Sequence, residues 1–102
     1  MNQPKRQERL KINFDFDEPK RYDVIFMNDD VTTMEFVVYV LENVFYKTKE
    51  EAHNLMLKVH VEGSAVVGTY NFDIALTKQD KTINMARAQN FPLEVIVKET
   101  IE

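Results

Sequence analysis

The sequence predicts an α+β domain of two layers, in which three helices cover one face of a small sheet. Three short runs of β-branched and aromatic residues have the composition of strands, and three longer runs carry apolar residues at helical spacing. In chain order the elements are β-α-α-β-α-β, which predicts a three-stranded, mostly antiparallel sheet. The length of 102 residues suits one domain and is too short for two ordinary ones.

The first part of the chain differs from the rest. We expect residues 1–20 to form a flexible N-terminal tail and residues 21–102 to form the core domain. The tail is charged and contains two of the three prolines, Pro4 and Pro19. Its large apolar residues alternate, which also fits a short strand or a docking segment. These residues are Leu10, Ile12, Phe14 and Phe16.

The first strand is predicted at Tyr22–Met27, and the turn-forming residues Asn28-Asp29-Asp30 follow it. A capping box of Thr32 and Glu35 is expected to begin the first helix. One face of that helix is apolar, which predicts that it packs on the sheet. The apolar face consists of Met34, Val37, Val38, Leu41, Val44 and Phe45.

A second capping box, Thr48 with Glu51, is expected to begin the second helix, and Gly63 to end it. The second strand is predicted at 65–70, where Gly68 indicates a bulge or a close approach of another group. The buried stripe of the second helix is predicted to be Ala52, Leu55, Met56 and Val59.

The third helix is predicted from about residue 74 to residue 89, with Asn71 or Asp73 as its cap, and it must end before Pro92. Its predicted inward residues are Leu76, Ile83 and Ala86. The last strand is predicted at 93–98, with Leu93, Val95 and Val97 on one face.

Composition excludes several classes of protein. The chain has no cysteine, so it is neither a disulfide scaffold, nor a protein with Cys-ligated zinc, nor a thiol enzyme. No apolar run approaches the roughly 20 residues that a membrane span needs, and residues 1–10 are too polar for a signal peptide. We therefore expect a cytoplasmic protein without a membrane partner.

The charge is distributed unevenly. Residues 1–21 carry six basic and four acidic side chains, whereas the remainder carries seven basic and thirteen acidic ones. A duplex-binding domain needs a basic face, so nucleic acid is not an expected partner. A cationic partner, or a ligand with an ammonium group, suits an acidic body better.

The polar residues that could carry chemistry are the turn Asn28-Asp29-Asp30 and the two histidines, His53 and His60. Carboxylates at a helix start ordinarily serve as caps. Because Thr32 can cap this helix alone, the acceptors of the turn remain for a ligand that brings donors, and an ammonium group brings three. We expect His60 on the inward side of its helix, either as a helix cap or facing the turn.

A metal site is the rival interpretation of the same residues. His53 and His60 lie about 10.5 Å apart along a helix axis, too far to share one zinc ion. Asp29, Asp30 and His60 could hold a metal by themselves, which leaves a metal-assisted hydrolase open. The chain has no Gly-x-Ser-x-Gly motif, no phosphate-binding glycine loop and a single serine. We therefore expect no catalytic residue, no metal and no cofactor.

One segment is similar to a known family. Residues 22–37, which read YDVIFMNDDVTTMEFV, resemble the signature segment of the ClpS family, the adaptors of the bacterial Clp protease. The spacing from Asn-Asp-Asp to Met-Glu-Phe to Val-His-x-x-Gly is specific. The resemblance covers residues 22–98 and continues through 55–63, 65–68, 77–78 and 92–93.

This resemblance implies a fold like that of the ribosomal stalk protein's C-terminal domain. It implies binding of N-degrons, which are proteins that begin with Leu, Phe, Tyr or Trp, and their delivery to the N-terminal domain of the ClpA unfoldase for degradation by ClpP. It implies no covalent chemistry, and we expect a monomer. The alternative is a stalk-like interaction domain without N-degron specificity.

The resemblance also implies roles for individual residues. Asn28, Asp29 and His60 would hold the free amino group, supported by Asp30 and Thr32. The pocket for the first side chain would be lined by Met34, Val37, Met56, Val59 and Leu93, with Met34 as its gate. Asp73 and Lys78 would contact the unfoldase. The sequence departs from the family pattern at Asp73, a shorter acid than the usual Glu, at Thr33 in place of a common Pro, and at Val31 in place of an aromatic residue.

Overall fold

The structure is a computed structural model that describes residues 19–101. The prediction for the tail therefore lies outside the described residues, apart from Pro19 and Lys20. The predicted β-α-α-β-α-β order is confirmed. The elements are β1 (Tyr22–Met27), α1 (Met34–Asn43), α2 (Lys49–Glu62), β2 (Ser64–Tyr70), α3 (Phe72–Ala88) and β3 (Glu94–Glu99).

The three strands form one antiparallel sheet in the order β2-β1-β3. The pairing of β1 with β2 shifts between Val24 and Ile25, because Val24 faces Gly68 and Ile25 faces Val66. A Cβ atom on Gly68 would lie 2.6 Å from the Cζ atom of the Tyr70 ring, far inside contact distance. The glycine therefore lies at a bulge and also at a close approach of the Tyr70 ring, so both interpretations of Gly68 are confirmed.

Most of the predicted helix ends are confirmed. Thr48 and Glu51 form the capping box of α2, with N–H to side-chain oxygen distances of 2.9 and 3.1 Å. Gly63 ends that helix with φ of 92°, a left-handed conformation that suits glycine. Asn71, not Asp73, caps α3 by accepting the N–H of Ile74 at 2.9 Å.

The cap of α1 differs from the prediction. Thr33 is the N-cap, and its Oγ1 accepts the N–H of Phe36 at 3.1 Å. The hydroxyl of Thr32 instead donates to Asp29 at 2.8 Å, so it is not available to cap the helix. Either of the two adjacent threonines could serve as the N-cap. Because the acidic turn before them binds the hydroxyl of the first, the second takes the N-cap position.

The core lies between the three helices and the face of the sheet that carries Val24, Phe26 and Val95. The inward face of α3 was predicted only in part: Ala86 is buried and Ile83 is partly buried, but Leu76 is exposed. Ala75 and Thr82 are buried in its place. Small side chains at these positions allow α3 to pack closely on the sheet, and Leu76, one residue later, is turned away from it. Within residues 19–101, no helix is both long and apolar enough to span a bilayer.

Thr82 should be replaceable with a gain in stability. Its side chain is 0% exposed, and in the described part of the chain its Oγ1 has no hydrogen-bond partner. An unpaired buried hydroxyl is unfavourable, so Thr82→Val, which keeps the shape, should raise the free energy of unfolding by about 1 kcal/mol. Urea denaturation measures this. The control is Thr77→Val at an exposed position of the same helix, which should change stability by less than about 0.5 kcal/mol. A less stable Thr82→Val protein would contradict the prediction.

Candidate functional site

A cavity of about 390 Å³ lies where β1 ends, near the lower end of the usual range for small-ligand pockets. The turn after β1, the first turns of α1 and the C-terminal half of α2 form its walls. It brings together most of the residues that the sequence singled out. They are Asn28, Asp29, Asp30, Thr32, Met34, Val37, Met56, Val59 and His60.

The turn is tied to the end of α2 by the backbone. The N–H of Asn28 donates to the carbonyl of Gly63 at 2.9 Å, and Met27 pairs with Ser64 across the sheet. The left-handed conformation of Gly63 turns the chain from α2 into β2 at this point. His60, three residues before that glycine, is thereby placed beside the turn.

Asp29 is the organising residue of the turn. Its Oδ1 accepts the N–H groups of Val31 at 2.8 Å and Thr32 at 2.7 Å, while its Oδ2 accepts the hydroxyl of Thr32. The expectation that the turn's acceptors have no donors of their own is therefore wrong for Asp29. A carboxylate offers about four acceptor positions, so three hydrogen bonds leave one for a ligand.

The charge of Asp29 is stabilised by its neighbours. Burial raises the pKa of the carboxyl, but the hydrogen bonds from Thr32 and Val31, together with the charge of Arg87, outweigh that effect and hold the pKa below its ordinary value. A lowered carboxyl pKa stabilises the fold at pH values above the ordinary value, and this contribution is lost as the pH falls through the lowered one. At neutral pH the turn therefore carries a negative charge at the cavity.

The remaining polar residues of the cavity are more exposed. Asn28 and Asp30 are exposed, and their side chains make no hydrogen bond within residues 19–101. His60 is also exposed, which corrects the expectation that it lies on the inward side of the helix. It faces the turn from the last turn of α2, so the carboxylate, the amide and the imidazole border one cavity.

The apolar wall is formed by buried residues of α1 and α2. Val37, Met56 and Val59 are buried, whereas Met34 is 44% exposed and stands at the edge of the cavity. The predicted pocket residue Leu93 does not line this cavity. It is 1% exposed and belongs to the core.

The other predicted residues lie elsewhere. His53 lines a neighbouring cavity of about 360 Å³ between α1 and α2, which shares Met34 and Met56 with the first cavity. Asp73 and Lys78 are on α3, outside both cavities. Among residues 19–101, no three His, Asp or Glu side chains are arranged to hold a metal ion, so Asp29, Asp30 and His60 do not form such a group.

A larger cavity, of about 750 Å³, lies between α1 and the C-terminal end of α3. It is lined by none of the residues that were predicted for the site. We place the candidate site in the cavity at the end of β1, because an ionised carboxylate, an amide and an imidazole meet an apolar wall there. Such an arrangement can hold an ammonium group attached to an apolar side chain.

Sequence reasoning missed one lining residue, Thr33, whereas Val31, which also lines the cavity, had been singled out as a departure from the family pattern. It also missed the hydrogen-bonded turn that Asp29 forms with Val31 and Thr32. Asp followed by polar and small residues is a known signal for a side-chain-to-backbone turn, and that signal was present in the sequence.

Comparisons with known proteins point to one family. The family described as "ATP-dependent Clp protease adaptor protein ClpS" matches residues 17–96. The ClpS adapter of Campylobacter jejuni strain 81-176 is 47% identical over 98 residues, which are 94% of this chain and 98% of that protein. The ClpS adapter of Neisseria gonorrhoeae is 51% identical over 81 residues, which are 79% of this chain and 78% of that protein.

A solved structure agrees with the sequence relatives. Agrobacterium tumefaciens ClpS2 bound to L-phenylalaninamide is 36% identical, with a TM-score of 0.79, and the match covers 81% of this chain and all of that one. The family model matches most of this chain, and the relatives named above are near 50% identical to it. This chain therefore belongs to the ClpS family of adaptors of the ATP-dependent Clp protease.

Proposed function

We propose that this protein binds N-degrons, which are polypeptides with a free N-terminal Leu, Phe, Tyr or Trp, and delivers them to a ClpA-type unfoldase. The observation that carries the proposal is the position of Asp29. Its ionised carboxylate keeps one acceptor position and borders a cavity of about 390 Å³ whose other wall is apolar.

The recognition follows from two properties of the ligand. The α-ammonium group donates hydrogen bonds to the Asp29 carboxylate, the Asn28 amide oxygen and a nitrogen of the His60 ring. The first side chain enters between Val37, Met56 and Val59 and is removed from water. An internal Leu has no ammonium group, so it loses the charge-assisted hydrogen bond to Asp29, which contributes roughly 1.5–3 kcal/mol.

The ligand of the structural neighbour supports this proposal. L-Phenylalaninamide, bound to Agrobacterium tumefaciens ClpS2, carries a free amino group and a benzyl side chain on the same carbon. These are the two groups that the cavity of the present chain is suited to hold. The amide at its other end corresponds to the first peptide bond of a longer chain.

The role is that of a non-catalytic adaptor. The curated relatives are named as adapters of the protease, and the Clp chaperone is accordingly the partner. We assign that partner to the ClpA type and expect the adaptor to act as a monomer in the cytoplasm. Thr32 supports the turn in this scheme by its hydrogen bonds to Asp29, whereas the support predicted from Asp30 is not seen among residues 19–101. Asp73 and Lys78 lie at the surface that contacts the unfoldase.

The test is a series of fluorescent peptides that differ only in the first residue. Leu, Phe, Tyr and Trp should bind measurably by fluorescence anisotropy, whereas Ala should bind at least tenfold more weakly. A peptide that begins Ala-Leu, with the Leu moved inward by one residue, is the control and should behave like the Ala peptide. Equal affinity for the whole series would support the stalk-like interaction domain instead.

His60→Ala should weaken the binding of a Leu peptide by about fivefold, which corresponds to one lost hydrogen bond of about 1 kcal/mol. The exposed position of His60 predicts an almost unchanged melting temperature. His53→Ala removes the other histidine of the same helix and should bind like the wild type. A His60→Ala protein that loses its fold would show that the residue is a structural cap.

Met34→Ala should relax specificity without abolishing binding. The Met34 side chain stands at the edge of the cavity, and we expect it to fill the space that a β-branched first residue needs. Its removal should raise the affinity for Ile and Val peptides relative to Leu. Met85→Ala, in the larger cavity, is the matched control and should keep the wild-type order. Rejection of Ile and Val at the wild-type level would show that Met34 is not the gate.

A further inference from the structure

The sheet has an outer face that points away from the three helices. Val24 and Phe26 of β1 belong to the core, and the side chains of a strand alternate between its two faces. Ile25, which lies between them in the chain, therefore points to the outer face. It pairs with Val66 on β2 and with Ile96 on β3, so apolar side chains cross this face from one edge strand to the other.

These apolar side chains remain in contact with water. Val66 is 44% exposed, and Ile25, Met27 and Ile96 are partly exposed. When an antiparallel sheet is covered on one side only, its open face ordinarily carries polar residues. We call Ile25, Met27, Val66 and Ile96 the outer patch. A contiguous apolar patch of this kind is typical of a surface to which another segment or molecule binds.

The chain reaches β1 from one end of the sheet. The carbonyl of Arg21 accepts the N–H of Thr100 at 2.9 Å, and the Arg21 guanidinium donates to the carbonyl of Thr69 at 3.0 Å. Arg21 is thus held between the C-terminal ends of β2 and β3. Phe14 is about seven residues before Arg21, so it can lie up to about 23 Å away. A segment that turns back at Arg21 can therefore extend over the outer patch.

Residues 10–16 have the sequence pattern that fits such a position. Their large apolar residues occur at every second position, with charged or amide side chains between them. In an extended chain all the apolar side chains then lie on one side, about 6.8 Å apart. The outward-facing residues of β1 have the same spacing, so the two segments can be in register. The apolar residues are Leu10, Ile12, Phe14 and Phe16, and the residues between them are Lys11, Asn13 and Asp15.

The charges are also in a compatible order. Lys98 lies on the outer face at the end of β3 nearest Arg21, and Glu94 lies on the same face at the opposite end. Both side chains are exposed. A segment that runs back from Arg21 brings Asp17 towards Lys98 and Lys11 towards Glu94. The reverse direction would bring like charges together, so the charges favour a segment antiparallel to β1.

We propose that residues 10–16 bind to the outer patch of the same molecule, extended and antiparallel to β1, with Phe14 above Ile25. The chain's own segment is favoured over a second copy, because its tether gives it an effective concentration on the order of 1 mM. Removal of the outer patch from water drives the binding. The candidate site is lined by α1, α2 and the turn after β1, none of which lies on the outer face, so the bound segment does not cover it.

Cross-linking of the full-length chain tests the proposal, because the wild type contains no cysteine and an introduced pair is unambiguous. Asn13→Cys and Ser64→Cys leave every apolar residue in place, and Ser64 lies on the outer face beside Met27. A short bis-maleimide reagent should join these two cysteines about tenfold faster than it joins Asn13→Cys and Phe72→Cys.

Phe72 is the matched control for reach. Its ring lies 4.8 Å from that of Tyr22 at the start of β1, whereas Ser64 pairs with Met27 at the far end of the strand. A segment without a binding site would therefore react with Phe72→Cys at least as fast as with Ser64→Cys, and that result would overturn the proposal. Cross-links that join two chains would also overturn it, since a second copy would then cover the outer patch.

Two substitutions within the segment test the apolar contact itself. On the background of the first cysteine pair, Ile12→Asn with Phe14→Asn should slow the cross-link about fivefold, because less apolar surface is buried. Gln3→Asn with Gln7→Asn leaves residues 10–16 unchanged and should keep the rate within about twofold. An unchanged rate in the Ile12→Asn, Phe14→Asn protein would show that the outer patch does not hold the segment.

Discussion

Asp29→Asn should weaken the binding of a Leu- or Phe-starting peptide by about 10- to 100-fold. The wild-type carboxylate offers the ligand ammonium a charge-assisted hydrogen bond, and such bonds contribute roughly 1.5–3 kcal/mol. The asparagine keeps the size of the side chain but carries no charge. It also turns an NH₂ donor towards a position where the wild type has an acceptor.

The fold should survive this substitution. The amide oxygen of Asn can still accept the N–H groups of Val31 and Thr32. In the wild type these groups lie 2.8 and 2.7 Å from Oδ1 of Asp29. The hydroxyl of Thr32 can rotate and accept from the new NH₂ group instead of donating. The measurement is peptide binding by anisotropy, together with thermal melting of both proteins.

Asp30→Asn is the matched control for the charge. Asp30 borders the same cavity but is exposed, and its side chain makes no hydrogen bond within residues 19–101. Exposed charges contribute little, so this variant should lose at most about threefold in affinity. If the two variants lost affinity equally, net charge rather than the placement of Asp29 would account for recognition.

The fold was predictable from the sequence because its signals are local. The capping box at Thr48, the glycine stop at Gly63 and the bulge at Gly68 are each produced by one or two residues in a short window. The predictions failed where neighbours compete. Thr32 and Thr33 can both cap a helix, and only the hydroxyl bond from Thr32 to Asp29 decides the outcome.

The site was less predictable, because its two halves are distant in sequence. Asn28 and His60 meet only through the pairing of β1 with β2 and the bond from Asn28 to Gly63. The local pattern suggested an ammonium-binding turn and left open whether His60 faces it; in the structure His60 is more exposed than expected but borders the same cavity as the turn. The resemblance to the ClpS family grouped residues of the two halves, which border one cavity in the structure, and it assigned Leu93 to a pocket that Leu93 does not line.

Lys78 illustrates a further limit of sequence reasoning. A lysine on an amphipathic helix is normally expected to point into solvent. The partial burial of Lys78 depends on Phe45 and Tyr70, which come from the loop after α1 and from β2. No pattern within α3 indicates that these rings converge on the ammonium group.

The central claim is that the protein recognises the free amino terminus of its ligand, and a pair of peptides tests this most directly. The two peptides share one sequence that begins with Leu, and only one of them is acetylated at its N-terminus. Acetylation removes the positive charge and two of the three N–H donors, so the remaining acceptor position of Asp29 has no ammonium partner. The acetylated peptide should bind at least tenfold more weakly by fluorescence anisotropy, a difference of about 1.4 kcal/mol. In the Asp29→Asn protein, acetylation of the peptide should reduce the affinity by less than in the wild type, because the carboxylate that attracts the ammonium charge is absent. Equal affinity of the wild-type protein for the two peptides would contradict the account.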